Sequence, residues 1–237
     1  MRAIVFSGGG NFGAWQAGVW SGLQSRLGSD PDLVVGASVG SLNGYAIAGG
    51  ATPGELCRFW KQQEVGRLRH LPETIRVLME RHQLRMEYAV TLTDLATMKP
   101  KIVRGGDVTW RHLAASCAIP GLLPQRRIGG RWYSDGGLLN PLPVWAAVDL
   151  GATRIIGVHA LPEIPSTLLK PFVKGFRHVF GHHPALPRGV ELITIEPVEK
   201  LGSVRDALTW KRENVERWIA QGQDQGKNIS IPNCFWR

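Results

Sequence analysis

Cysteine is scarce in this sequence and poorly placed for cross-linking. Cys57, Cys117 and Cys234 form an odd, scattered set without a Cys-x-x-Cys spacing, which argues against a disulfide framework or a structural zinc site and points to a reducing compartment. Long apolar runs are missing too. No stretch approaches the roughly 20 residues that a spanning helix needs. The run after Met1-Arg2, Ala3 to Phe6, is too short for the apolar core of a signal peptide, so a soluble cytoplasmic product is expected. Acidic residues are outnumbered 19 to 28 by Lys and Arg, for a net charge of +9. The cations are spread along the chain with no zinc-finger or RNP-type pattern, so nucleic acid is not the expected partner. An anionic membrane surface is the other partner such a balance fits.

What is present is a foldable chain. With 43% apolar residues among 237, it is too apolar and too weakly charged to stay disordered. Its length suits one large α/β domain spanning 1–237, with a motif-bearing core over about 3–150 and the remainder completing it. There is no linker, internal repeat or low-complexity tract. Arg2 to Phe6 reads as a strand that stops at Ser7-Gly8-Gly9-Gly10, and Ala14 to Leu27 follows with helical spacing. Leu33 to Val35 is a second short strand, broken at Gly36 and followed by a small-residue helix through Ala48. Pro53 and Pro72 start helices near 54–64 and 73–84.

Further along, 88–93 and 101–104 read as strands, 109–117 as a helix, and Gly129-Gly130 as a hairpin turn before the strand 131–134. A helix over 144–150, strands over 154–158 and 191–195 and a closing helix over 204–223 complete the pattern. This alternation implies a three-layer α/β/α fold around a mainly parallel sheet.

Gly36-Ala37-Ser38-Val39-Gly40 matches Gly-x-Ser-x-Gly between a strand and a helix, the context in which the motif forms a sharp turn and exposes a nucleophilic hydroxyl. The helix N-terminus beneath it favours developing negative charge. The alternative is a glycine-rich turn that happens to hold a serine.

Gly8-Gly9-Gly10-Asn11-Phe12-Gly13 satisfies the dinucleotide spacing Gly-x-Gly-x-x-Gly, but that reading needs an acidic residue at the end of the second strand. Asp32 stands at its beginning. Consecutive glycines beside a candidate serine make better sense as backbone N–H donors for an oxyanion. The most suggestive base is Asp135, which ends a strand and is followed by Gly136-Gly137, although an isolated Asp-Gly-Gly is usually only a turn.

Taken in order, the glycine motif at 8–13, Gly-Ala-Ser-Val-Gly at 36–40, Ala115-Ser116-Cys117-Ala118-Ile119-Pro120, and Asp135-Gly136-Gly137 with its continuation to Val144 resemble the patatin-like phospholipase family. The resemblance runs over nearly the whole chain. It implies a patatin-type fold and a cofactor-free, metal-independent serine acyl hydrolase acting on lipid esters through a Ser-Asp dyad. Carried over by position, Ser38 is the nucleophile, Asp135 the general base, and the N–H groups of Gly8, Gly9 and Gly10 the oxyanion hole. The chain departs from the family at Phe12, where Arg or Lys is common. A dyad also asks much of aspartate, whose reference pKa near ~3.9 makes it a weaker base than histidine near ~6.5.

Other readings stay open at this level. His159, at the end of the 154–158 strand, follows Ser38 and Asp135 in the chain order of an α/β-hydrolase triad; the alternative is a strand-end histidine with a satisfied hydrogen bond. Leu168 to Phe180 alternates apolar residues with Lys170, Lys174, Arg177 and His178 as an amphipathic basic helix, either packed on the sheet or docked on anionic lipid. Trp110, Trp132 and Trp145 read as packing residues, and His182-His183 as too isolated for a metal. Transacylation by the same serine, or a lipid-binding module without turnover, are the alternative functions. Nothing in the pattern fixes an oligomeric state.

Overall fold

The computed structural model describes residues 1–63, 65, 70–163, 175, 178–182, 184–232 and 234–236. Most of the basic amphipathic segment, 164–174 and 176–177, lies outside them. Three strands read from the sequence form the centre: β1 (Arg2–Phe6), β2 (Leu33–Ala37) and β3 (Glu87–Asp94). They are parallel neighbours, with Ala3 opposite Leu33 and Leu33 opposite Glu87. β7 (Arg154–Val158) and β8 (Glu191–Ile195) continue the sheet in parallel beyond β1. The edge beyond β3 is antiparallel and comprises β4 (Lys99–Arg104), β5 (Arg126–Ile128) and β6 (Arg131–Ser134).

Alternation along the strands sorts their side chains into two cores. Ile4, Phe6, Val34, Tyr88, Val90, Ile156 and Val158 face the larger one. It is roofed by α1 (Gly13–Leu27), α2 (Val39–Ala48), α3 (Pro53–Lys61), α4 (Leu71–Arg81), α5 (Trp110–Ser116) and α8 (Arg212–Asn228). Ala3, Val5, Leu33, Val35 and Ile155 face the smaller core under α6 (Val144–Asp149). The sheet therefore lies between two helical layers, the arrangement its alternating sequence implies.

Local chemistry accounts for several boundaries. Thr52 caps α3 through a reciprocal box, its Oγ1 accepting from Glu55 N at 3.2 Å while Glu55 Oε2 accepts from Thr52 N at 2.8 Å, with Pro53 in the first turn. α4 ends at Arg81, three residues short of the sequence expectation. There the chain is pulled back onto α2, with the N–H groups of Arg85 and Met86 both donating to Ala48 O at 2.8 and 3.1 Å.

The expected closing helix over 204–223 is corrected to two helices, α7 (Val204–Leu208) and α8. Thr209 turns extended between them, and Trp210 donates its indole N–H to Trp60 O at 3.1 Å instead of continuing the helix. α8 then packs closely against α1, because Gly222 and Gly226 face Gly18 and Gly22 with no Cβ atoms between the backbones.

Candidate active site

The catalytic candidates converge because of how three strands meet. β4 occupies one side of β3 through Asp94, so β2 and β6 must share the other side. β2 leaves that side at Ala37, opposite Thr91, while β6 arrives from the opposite direction at Ser134, opposite Thr93. Ser38 and Asp135 are the next residues of the two strands and enter the gap head-on. A buried set of hydrogen bonds closes it. Ser38 N–H donates to Ser116 Oγ at 2.8 Å, Ser116 Oγ donates to Thr91 O at 2.9 Å, and Gly136 N–H donates to Ser116 O at 3.0 Å. Thr93 Oγ1 donates to Asp135 O at 2.8 Å.

Ser38 has φ 54 and ψ −133, one of two positive-φ residues other than glycine among the described residues. A side chain in that region is strained and persists only where the surroundings fix it. The fixing is tight: a Cβ at Gly36 would lie 2.4 Å from Gly40 O, and one at Gly40 would lie 2.4 Å from Ser7 O. Both flanking glycines are therefore obligatory, and the serine is held at the start of α2, where the helix dipole favours negative charge.

The first glycine turn lies against the serine. A Cβ placed on Gly8 would approach Ser38 Cβ to 3.2 Å and Ser38 Oγ to 3.8 Å. A Cβ on Gly137 would sit 3.1 Å from Asp135 Oδ1 and 3.9 Å from Gly8 Cα. Gly8 thus touches the neighbourhoods of both side chains. Asp135 Oδ1 accepts the Gly137 N–H at 2.7 Å, which fixes the carboxylate's direction.

The three glycine amides are not equivalent, and this corrects the expected set. Gly8 is buried and its N–H donates to Pro141 O at 3.0 Å, so it is not available to an oxyanion. Gly9 and Gly10 are partly exposed, and their N–H groups meet no acceptor among the described residues. Gly10 has φ +57, and a Cβ there would lie 2.2 Å from Ala207 O of α7. The turn is anchored by buried polar side chains that sequence reasoning missed. Gln16 Nε2 donates to Ser7 O at 2.8 Å, Asn43 Nδ2 to Gly13 O at 2.9 Å and Gln16 Oε1 at 3.0 Å, and Trp60 Nε1 to Asn43 Oδ1 at 2.7 Å. Read along the chain, these are scattered polar residues in apolar helices, and only the tertiary fold relates them.

Beside Ser38 is a cavity of about 30 Å³, walled by Val39, Leu42, Trp60, Leu71, Cys117, Ile119, Leu123 and Leu208 among others. It holds about one water, far below the ~300–1,000 Å³ of ordinary ligand pockets, so an acyl chain enters only if the wall moves. Burial, and then the nearby Asp135 carboxylate, push the Cys117 thiol far up, so it stays a neutral wall residue.

Phe12, at the family's usual cationic position, is buried and packs edge-to-face on Trp218 with centroids 5.0 Å apart. His159 continues from β7 with its N–H on Ile195 O at 2.8 Å and its Nδ1 3.3 Å from Glu196 Oε1, beyond the far edge of β1 from β2. Asp32 sits at the opposite end of β2 from Ser38 and pairs with Arg2, Nη2 to Oδ1 at 2.8 Å. His182 is half-buried, edge-on to Trp145 at 4.8 Å. No cluster of three or more candidate metal ligands occurs among the described residues.

Sequence comparison supplies the family. The patatin-like phospholipase profile matches residues 4–99 and 106–148. The chain belongs to the patatin-like phospholipase family. Patatin-like phospholipase domain-containing protein 6 of Homo sapiens is 27% identical over 180 residues, covering 66% of this chain and 13% of that protein. Lysophospholipase NTE1 of Debaryomyces hansenii is 29% identical over 179 residues, covering 65% of this chain and 11% of that one. This chain therefore spans only about an eighth of the length of these patatin-like relatives. The fold is similar to that of VipD from Legionella pneumophila, with a TM-score of 0.64 at 14% identity over 95% of this chain and 66% of that one.

Proposed function

We propose that this patatin-like chain is a lipid acyl hydrolase of phospholipase A or carboxylesterase type, working without metal or cofactor. Ser38 is its nucleophile, Asp135 its general base, and the Gly9 and Gly10 amides its oxyanion hole. Ser38 Oγ attacks the ester carbonyl carbon as Asp135 accepts the hydroxyl proton. The carbonyl oxygen gains the negative charge, and the two amides and the α2 N-terminus stabilise it in a site with little water. Collapse expels the alcohol, which takes the proton from Asp135. Water, losing its proton to Asp135, then attacks the acyl-serine, and the bond to Ser38 Oγ breaks as Oγ takes that proton back from Asp135, which releases the fatty acid and restores the free serine.

The observation that carries this reading is the φ of 54 at Ser38, strain that the chain maintains at a serine that lies against Gly8 and lines a cavity. Phe12 does not weaken it, since its ring packs on Trp218 in the core and the proposed oxyanion donors are backbone amides. Work in a reducing cytoplasm, in peripheral contact with anionic membrane, belongs to the same proposal. Mass spectrometry of products from a mixture of phospholipids and neutral lipids tests it, with Ser38→Ala as control. Free fatty acid that disappears in the variant is the expected result. Acyl transfer to a lipid alcohol identifies a transacylase, and no turnover in either protein identifies a binding module.

A further inference from the structure

The β5–β6 hairpin presents an unusual surface. From Leu122 to Trp132 the chain holds three arginines, Arg126, Arg127 and Arg131, and no acidic residue. Two large apolar side chains in the same stretch are exposed to solvent, Leu122 at 47% and Trp132 at 52%. Arg127 lies directly opposite Trp132 across the hairpin, so the pair shares one face, while Arg131 lies opposite Ile128 on the other. Arg131 reaches back to Asp94 at 2.8 Å. Arg126 and Arg127 have no carboxylate within salt-bridge distance among the described residues.

An exposed tryptophan beside the unneutralised Arg127 has a specific physical fit. The indole prefers the boundary between headgroups and acyl chains, and each basic residue gains from an anionic leaflet. A protein partner would also accept an aromatic and a cation, but the stretch carries no acidic residue, and the Arg127 guanidinium, whose Nε donates to Gly130 O at 3.4 Å, has no carboxylate beside it among the described residues, which favours a fluid surface of negative charge.

The position matters as much as the composition. Ile119 and Leu123, just before the hairpin, form part of the wall beside Ser38. Ser134, at its end, donates its hydroxyl to Ala118 O at 2.9 Å, and Asp135 follows. The hairpin is thus the continuation of the cavity wall on one side and of the strand carrying Asp135 on the other.

We propose that the tip of the β5–β6 hairpin is the surface through which this protein docks on anionic phospholipid, setting the Ile119–Leu123 wall of the cavity against the bilayer. The docking rests on the hydrolase reading only for its purpose, and binding is measured without turnover. Flotation of the 237-residue Ser38→Ala chain with vesicles of phosphatidylcholine containing 30% phosphatidylglycerol, against pure phosphatidylcholine, reads it directly.

The expected result is salt-sensitive binding to the anionic vesicles, reduced at least tenfold by Arg127→Glu/Trp132→Ser. Arg127→Gln alone, a milder change, lowers it severalfold. Arg212→Glu, an equal change of charge at an exposed site on α8, leaves it near the parent value. No binding by the parent, equal binding by the hairpin variants, or an equal loss in Arg212→Glu would overturn the assignment. Hydrolysis of a soluble short-chain ester by the same variants with Ser38 restored is expected to be unchanged. Its loss in the parent as well would count against the hydrolase reading and not against the docking surface.

Discussion

The backbone N–H of Ser38 donates to the side chain of Ser116 at 2.8 Å, and the carbonyl of Ser116 accepts the N–H of Gly136. One buried residue at the end of α5 therefore holds both the strained turn of the nucleophile and the residue after the candidate base. Ser116 contacts neither reacting atom; its role is positioning.

Ser116→Ala removes the acceptor for a buried amide and the donor to Thr91 O together. A stability loss of about 1–3 kcal/mol follows from the unsatisfied groups. Because the turn loses its fixed direction, kcat on a soluble ester is expected to fall at least tenfold with KM changed less than twofold. A variant that loses stability with kcat intact would leave Ser116 as a structural residue only.

His159 tests the dyad against a triad. Its N–H donates to the β8 carbonyl of Ile195, its Nδ1 lies 3.3 Å from a Glu196 carboxylate oxygen, and β7 is separated from β2 by β1. His159→Ala is expected to retain ester hydrolysis within about threefold. Asp135→Asn, by contrast, is expected to cost about 10⁴-fold, the scale seen when an orienting or basic carboxylate is lost from a serine hydrolase. Steady-state kinetics on one soluble ester decide between them, and equal losses would put a histidine in the mechanism.

Asp32 offers a pH-dependent contribution away from the site. Hydrogen bonds from Arg2 lower its pKa to about 2, against the cost of desolvation. A depressed carboxylate stabilises the fold above its ordinary value near ~3.9 and loses that contribution as pH falls through the folded value. Because Asp32 is 40% exposed, screening limits the effect. Asp32→Asn is expected to lower stability by at most about 1 kcal/mol at pH 7, or roughly 2–4 °C in Tm. Melting curves of the two proteins should draw together as pH falls from 4 toward 2, and a gap that widens on acidification would contradict the assignment.

Much of this architecture is legible from residues alone because its signals are local. The five-residue strand Arg2–Phe6, the Thr52-Pro53 start of α3 and the Gly129-Gly130 turn each depend on neighbours a few positions away. The motif serine is legible for the same reason, as the crowding that demands Gly36 and Gly40 arises within a strand-turn-helix unit and the strand before it. What escapes is non-local. The break at Thr209 depends on Trp60, the shortened end of α4 on Ala48, and the removal of Gly8 from the amide set on Pro141, 133 positions away. Asp135 is legible as a strand-end aspartate, but its approach to Ser38 depends on β6 running backwards along the edge that β2 vacates, which no periodicity encodes.

The claim on which the account turns is that Asp135 activates Ser38. The rate at which a fluorophosphonate forms a covalent adduct, followed by intact mass and mapped to its peptide, measures that activation without any choice of natural substrate. The account predicts a single adduct on the peptide carrying Ser38, formed at least ~10³-fold more slowly in Asp135→Asn. An adduct on another residue, or an unchanged rate in Asp135→Asn, would contradict it.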